Sequence, residues 1–103
     1  MGTVKENLIA ARALIDTPEK WNTNGSFGSD GCYCAIGALE RAPTEYTDFR
    51  YLEREWTALW KALPKEHRHP VVPNVMDIFT YNDEVASHIE MMALFTRAIE
   101  AQP

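Results

Sequence analysis

A thiol, an imidazole and a carboxylate carry most of the chemistry this chain can offer, and they fall in two short segments. The first is Cys32-Tyr33-Cys34-Ala35-Ile36-Gly37-Ala38-Leu39; the second is Tyr81-Asn82-Asp83, running on to Ser87-His88-Ile89-Glu90. Each stands at an expected helix start. The free amides and dipole of a helix N-terminus favour a thiolate, so Cys34 is the candidate nucleophile and His88 its base. Asp83, or Asn82, would orient the imidazole, which gives a small thiol-dependent hydrolase or transferase. The opposing reading is packing. Free cysteine is among the most buried residue types, and Cys34 adjoins Ala35, Ile36 and Ala38. His88 and Asp83 suit the polar start of a helix equally well. The balance leans toward a chain that is not an enzyme.

Cys32, Cys34, His67, His69 and His88 are ligand types that zinc accepts. Cys-Tyr-Cys is tighter than the two to four residues of a zinc knuckle, and His-Arg-His lies between charged and proline residues. No metal and no cofactor is expected. Two cysteines one residue apart point in different directions, which makes both free thiols and the compartment a reducing one, the cytoplasm. No apolar stretch approaches the ~20 residues of a membrane span, and no basic start precedes an apolar run. No membrane partner is expected.

The 103 residues carry a net charge of −5, from 15 acidic and 10 basic side chains. From residue 77 onward there are five acids against Arg97 alone. Nucleic-acid affinity comes chiefly from basic stripes that displace counterions. The cluster Lys61, Lys65, His67, Arg68 and His69 reads instead as a helix C-terminus with its loop, so no nucleic-acid partner is expected. Hydrophobic residues at 46% and charged residues at 24% are ordinary globular proportions, and this length suffices for one core.

The elements that must position these groups are mostly helical. Val4, Leu8, Ala11 and Ile15 recur every three to four residues behind a Thr3/Glu6 capping box, giving a helix to Asp16. Thr17-Pro18 opens one further turn to Trp21. A long loop follows over 22–31, and a small hairpin over 21–34 is an option. A short, small-residue helix from Cys32 or Tyr33 to Arg41 takes the centre. Thr44 caps a third helix to Ala62 or Leu63, whose stripe is Phe49, Leu52, Trp56, Leu59, Trp60 and Leu63. Asn74 caps a short helix to Tyr81. Ser87-His88-Ile89-Glu90 is a second capping box, opening a helix to Ala101 with Ile89, Met92, Ala93, Phe95 or Thr96, and Ile99 as its buried face.

Trp21, Gly25, Phe27 and Asp30, then Tyr33-Cys34 with Ile36-Gly37-Ala38-Leu39, then Tyr81-Asn82-Asp83 and Ser87-His88-Ile89-Glu90 before Leu94 and Ala98-Ile99, form a pattern across most of the chain. It resembles a family of small uncharacterised proteins of actinobacteria and their phages. Tyr33 and Tyr81 stand where that family commonly has tryptophan, an exchange that keeps aromatic packing. The resemblance implies a fold and a motif set without a reaction, and a phage or actinobacterial source.

The expectation is therefore a mainly α, single domain over 1–103, with four principal helices around the short small-residue helix. Its expected role is non-catalytic interaction with a protein, a host protein if the chain is phage-encoded, through Trp21, Phe27, Tyr33, Tyr81 and Asn82. Tryptophan and tyrosine are favoured in such contacts. The broad stripe of the third helix makes a second copy of the chain another candidate partner, as a homodimer.

Overall fold

Two reciprocal caps fix the two longest helices. Thr3 Oγ1 accepts the Glu6 amide at 3.1 Å and the Glu6 carboxylate returns to the Thr3 amide at 2.8 Å. The pair starts α1, Val4–Leu14. Ser87 and Glu90 repeat the arrangement at 3.2 and 2.8 Å, starting the last helix, His88–Glu100. Each box satisfies amides that a helix start otherwise leaves open. The computed structural model describes residues 3–23, 32–43 and 45–103. Within them lie three more helices, α2 at Ala35–Arg41, α3 at Glu53–Ala62 and α4 at Val75–Thr80, so the last helix is α5. A π-helical turn, Tyr81–Val85, follows α4 directly.

The architecture is mainly α, with the four principal helices expected and α4 as a short fifth. α2 is the innermost: Ala35 through Glu40 are all buried, and the helix packs against α1, α3 and α4. α1 and α3 both pack on α5 as well. Leu8, Ala11 and Ile15 of the first stripe meet Ile36, Leu39, Leu59, Ile78, Leu94 and Phe95 in one core. Arg97 on α5 donates from Nε and Nη2 to the Ala62 carbonyl, at 3.2 and 3.0 Å. A cation thus closes the C-terminal end of α3, where the dipole favours one.

Several expected boundaries move. α2 begins at Ala35 rather than at Cys32 or Tyr33, because Tyr33 is held in a backbone bridge and Cys34 is the extended N-cap. Of the hairpin over 21–34, the described residues show a parallel bridge between Trp21 and Tyr33, in which Asn22 N donates to Tyr33 O and Tyr33 N to Lys20 O, both at 2.9 Å. The third helix does not start in the mid-forties. Asp48 caps a separate 3-10 turn, Phe49–Tyr51, and Leu52 (φ −116°, ψ 34°) breaks the chain before α3. Thr44, Gly25, Phe27 and Asp30 lie outside the described residues, as does most of the expected 22–31 loop.

The largest correction is the rotation of α5. Its buried residues are Met91, Leu94, Phe95 and Ala98, while Ile89 is 82% exposed. Apolar residues come in pairs along this helix, Met91-Met92 and Leu94-Phe95, so two stripes about 100° apart are both continuous. The stripe facing α1 and α3 is the one with Met91 at its head.

Glu40 organises the connection between α2 and α3. Its carboxylate accepts the Phe49 amide at 2.8 Å, and its backbone oxygen accepts the Thr47 amide at 3.0 Å. Only 3% of the residue is exposed. Burial raises the Glu40 carboxyl above its ordinary value; the bond from Phe49 opposes this, and the Asp48 charge adds to it. An acid whose folded pKa is raised holds its proton more tightly when folded, so its contribution is complete below the unfolded value of 4.5 and is lost as pH rises through the folded value. Denaturant midpoints measured at intervals from pH 4 to 8 should therefore show Glu40→Gln gaining on the wild type as pH rises; a constant difference would count against the assignment. The rotation of α5 makes a second prediction. Leu94→Ala should cost about 2–5 kcal/mol, whereas Ile89→Glu should stay within about 0.5 kcal/mol of the parent in the same assay.

Candidate functional site

The two chemistry-bearing segments meet at the side chain of Asn82, on the π-helical turn. Its Oδ1 accepts the Trp21 indole N–H at 2.7 Å and the Ala35 amide at 3.0 Å. Its Nδ2 donates to the Asn22 carbonyl at 3.0 Å and to Asp83 Oδ1 at 2.9 Å. Asn82 is 1% exposed. All four hydrogen-bonding positions of the amide are filled, which is what a buried carboxamide requires. The π turn is suited to this, since a wide turn re-aims side chains that a regular helix would carry past the site.

His88, at the first position of α5, points back toward α1. Its Nε2 lies 2.7 Å from the Ile15 carbonyl; a carbonyl can only accept, so Nε2 carries the proton. The ring lies against Trp21, centroids 5.8 Å apart and planes inclined by 52°. Cys34 is fully buried, with its sulfur accepting the Gly37 amide at 3.3 Å as the N-cap of α2. Burial raises the thiol above its ordinary value. The bonds from the Gly37 and Ile36 amides pull the other way, and the charges of Asp83 and Glu40 push it up further. The helix start thus holds a sulfur that prefers to stay protonated, the reverse of an activated thiolate.

Trp21, Asn82, Asp83 and His88 are therefore joined in one chain of contacts that ends at the amide next to Cys34. Tyr33 belongs to the same corner through its bridge to Trp21. His88 spends its Nε2 on Ile15 and Cys34 its sulfur on Gly37. Tyr81, although adjacent to Asn82, faces elsewhere. Its ring meets His67 at 5.5 Å, and it lines a cleft of about 280 Å³ with residues of the 66–69 turn and α4. Among the described residues no group of three or more His, Cys, Asp or Glu side chains is placed to hold a metal. No helix among them is long and apolar enough to cross a membrane.

The chain belongs to a family of unknown function, DUF6197, whose sequence model matches residues 1–101. No curated protein and no solved structure matches it. The family thus spans the whole arrangement just described, both capping boxes included.

Three residues organise more of the molecule than their types suggest. Asp77 Oδ2 accepts the Trp60 indole N–H at 2.9 Å and the His69 amide at 2.7 Å, fastening the 64–74 connection to α3. Arg68 lies over the Trp60 ring, 5.5 Å from its centroid. Glu55 is buried in α3 and accepts from Asn7 Nδ2 of α1 at 3.0 Å. It falls three residues after Leu52 and four before Leu59, so helical spacing alone places it on the apolar stripe.

Two measurements check this geometry. Asn82→Ala leaves the buried Ala35 amide without an acceptor and should cost about 2–4 kcal/mol in denaturant unfolding. Asn82→Asp turns an acceptor toward the Asn22 carbonyl and the Asp83 carboxylate, and should be no better tolerated. Iodoacetamide applied to the native protein should label Cys32, which is partly exposed, and reach Cys34 only after denaturant is added. Labelling of native Cys34 with a midpoint below that of an ordinary thiol would contradict the arrangement.

Proposed function

We propose that this chain is a non-catalytic interaction protein that binds another protein beside the corner built by Trp21, Tyr33, Asn82 and His88. What supports the reading is a contrast at the start of α5. The reactive groups there are turned inward, Cys34 onto Gly37 and His88 onto Ile15. The large apolar residues on either side of His88, Val85 and Ile89, stand 41% and 82% exposed. An isoleucine so exposed at a firmly capped helix start contributes little to folding, and apolar groups beside an aromatic are the usual centre of a protein contact. The partner is a host protein if the chain is carried by a phage; a second copy of the chain would use the same face.

The test is a photoreactive amino acid placed at position 89 of the full chain, in cells that naturally make it, with the same group at exposed Lys61 as the reference. Discrete adducts from position 89 that are missing from position 61 are the expected outcome, and an adduct of twice the chain mass identifies a second copy. Equal labelling from both positions would overturn the reading. So would hydrolysis of thioester or amide substrates that Cys34→Ser and His88→Ala each abolish.

A further inference from the structure

The end of α3 and the loop after it gather cations in a chain whose net charge is −5: Lys61, Lys65 and Arg68, with His67 and His69, against Glu66. The 66–69 turn closes on α4 and the start of the π-helical turn around a cleft of about 280 Å³, with Asp77, Thr80 and Tyr81 on its far side. Most groups there already have partners. Asp77 Oδ2 holds the Trp60 indole N–H and the His69 amide, and the His67 ring rests on Tyr81. His69 Nδ1 accepts the Val71 amide at 3.3 Å, so the neutral ring carries its proton on Nε2, which is left as a donor.

Arg68 is the exception. Its guanidinium lies over Trp60, 5.5 Å from the ring centroid, and its Nε is shut away from water with no acceptor. Among the described residues no carboxylate lies within ion-pairing distance of it. A buried donor without an acceptor is costly, and native chains rarely leave one so. Stacking occupies the face of a guanidinium and leaves its edge, where parallel N–H groups match the two oxygens of a carboxylate or phosphate. Arg68 is the one permanent cation lining the cleft, and Glu66 and Asp77 border it. A carboxylate, with one negative charge, suits that balance better than a phosphate monoester with nearly two.

We propose that the cleft between the 66–69 turn and α4 receives a carboxylate of a partner protein. The guanidinium of Arg68 turns on the Trp60 face to bring its Nε–H edge to the two oxygens, and His69 Nε2 and the Thr80 hydroxyl bond the carboxylate from its flanks. The inference takes from the preceding reading only that the partner is a protein. Carboxylate binding with no adduct from position 89 would leave the cleft standing and remove the α5 face; the converse result would do the opposite.

The experiment is an NMR titration of the full ¹⁵N-labelled chain at constant ionic strength. The probes are N-acetyl-glutamate N-methylamide, which offers a side-chain carboxylate, and N-acetyl-alanine, which offers a terminal one; the glutamine analogue and inorganic phosphate are the references. The expected result is saturable shifts confined to 66–69, 77–81 and the Arg68 Nε–H, with phosphate weaker and the glutamine analogue silent. The tighter of the two carboxylates identifies which kind the partner brings. Arg68→Gln should weaken binding at least tenfold and Arg68→Lys severalfold, since lysine keeps the charge and loses the parallel edge. Arg54→Gln, a change of an exposed arginine on α3, should leave it unchanged. If Arg68→Gln does not fold, Arg68→Lys and Thr80→Val, each expected to weaken binding severalfold, carry the test. An Arg68 Nε–H that does not move, equal shifts from the glutamine analogue, tighter binding of phosphate, or indifference to the Arg68 substitutions would overturn the proposal.

Discussion

The structure turns on one carboxamide. Asn82 joins three stretches of chain at one side chain: the Trp21-Asn22 segment after α1, the first turn of α2, and the π-helical turn after α4. Which end of the amide is oxygen follows from its neighbours, since an indole N–H and a backbone N–H can only donate, and a carbonyl and a carboxylate can only accept. Each alternative side chain fails on one side. Aspartate has no donor, leucine has neither function, and glutamine would have to sit one methylene further back in a buried space. A fully satisfied polar joint of this kind specifies a register that apolar packing would leave loose, because a slipped arrangement strands several buried groups at once.

The π turn and the thiol cap both follow from that joint. α4 and α5 are nearly continuous in sequence, and a single long helix through residues 75–100 would be the simplest local outcome. Instead the chain widens over Tyr81–Val85 and extends at Ala86, and α5 restarts under its own capping box. The break lets Asn82 reach the Ala35 amide while Tyr81 turns to His67. At the other end of the joint, the first turn of α2 is so deeply placed that its N-cap is wholly buried. A serine there would bring a hydroxyl into apolar surroundings, whereas a thiol behaves as a small hydrophobe that still accepts one weak bond. Burial and the nearby carboxylates outweigh the local amides, which is why a cysteine at a helix start is here a packing residue.

What could be read from the sequence was what is written locally. Thr3 with Glu6 and Ser87 with Glu90 are three residues apart and need no tertiary partner, so both caps and both helices were legible. Asn74 before α4 and the run of small residues in α2 were legible for the same reason. The corner holding Trp21, Asn82 and His88 could be located but not explained, because three of the four bonds of Asn82 span 47 to 61 residues. Nothing near Asn82 in sequence says which backbone it will face. The phase of α5 was undetermined by its own residues, since its doubled apolar positions support two stripes; α1 and α3, which it packs against, decide between them.

Glu55 stood in plain view on the stripe of α3, and periodicity gave no warning because a stripe is read by its apolar members. Its carboxylate accepts the Asn7 side-chain amide and so ties α3 to α1. Glu40 is equally buried but takes a backbone amide and shapes the loop between α2 and α3. One buried carboxylate shapes a loop, and the other joins two helices.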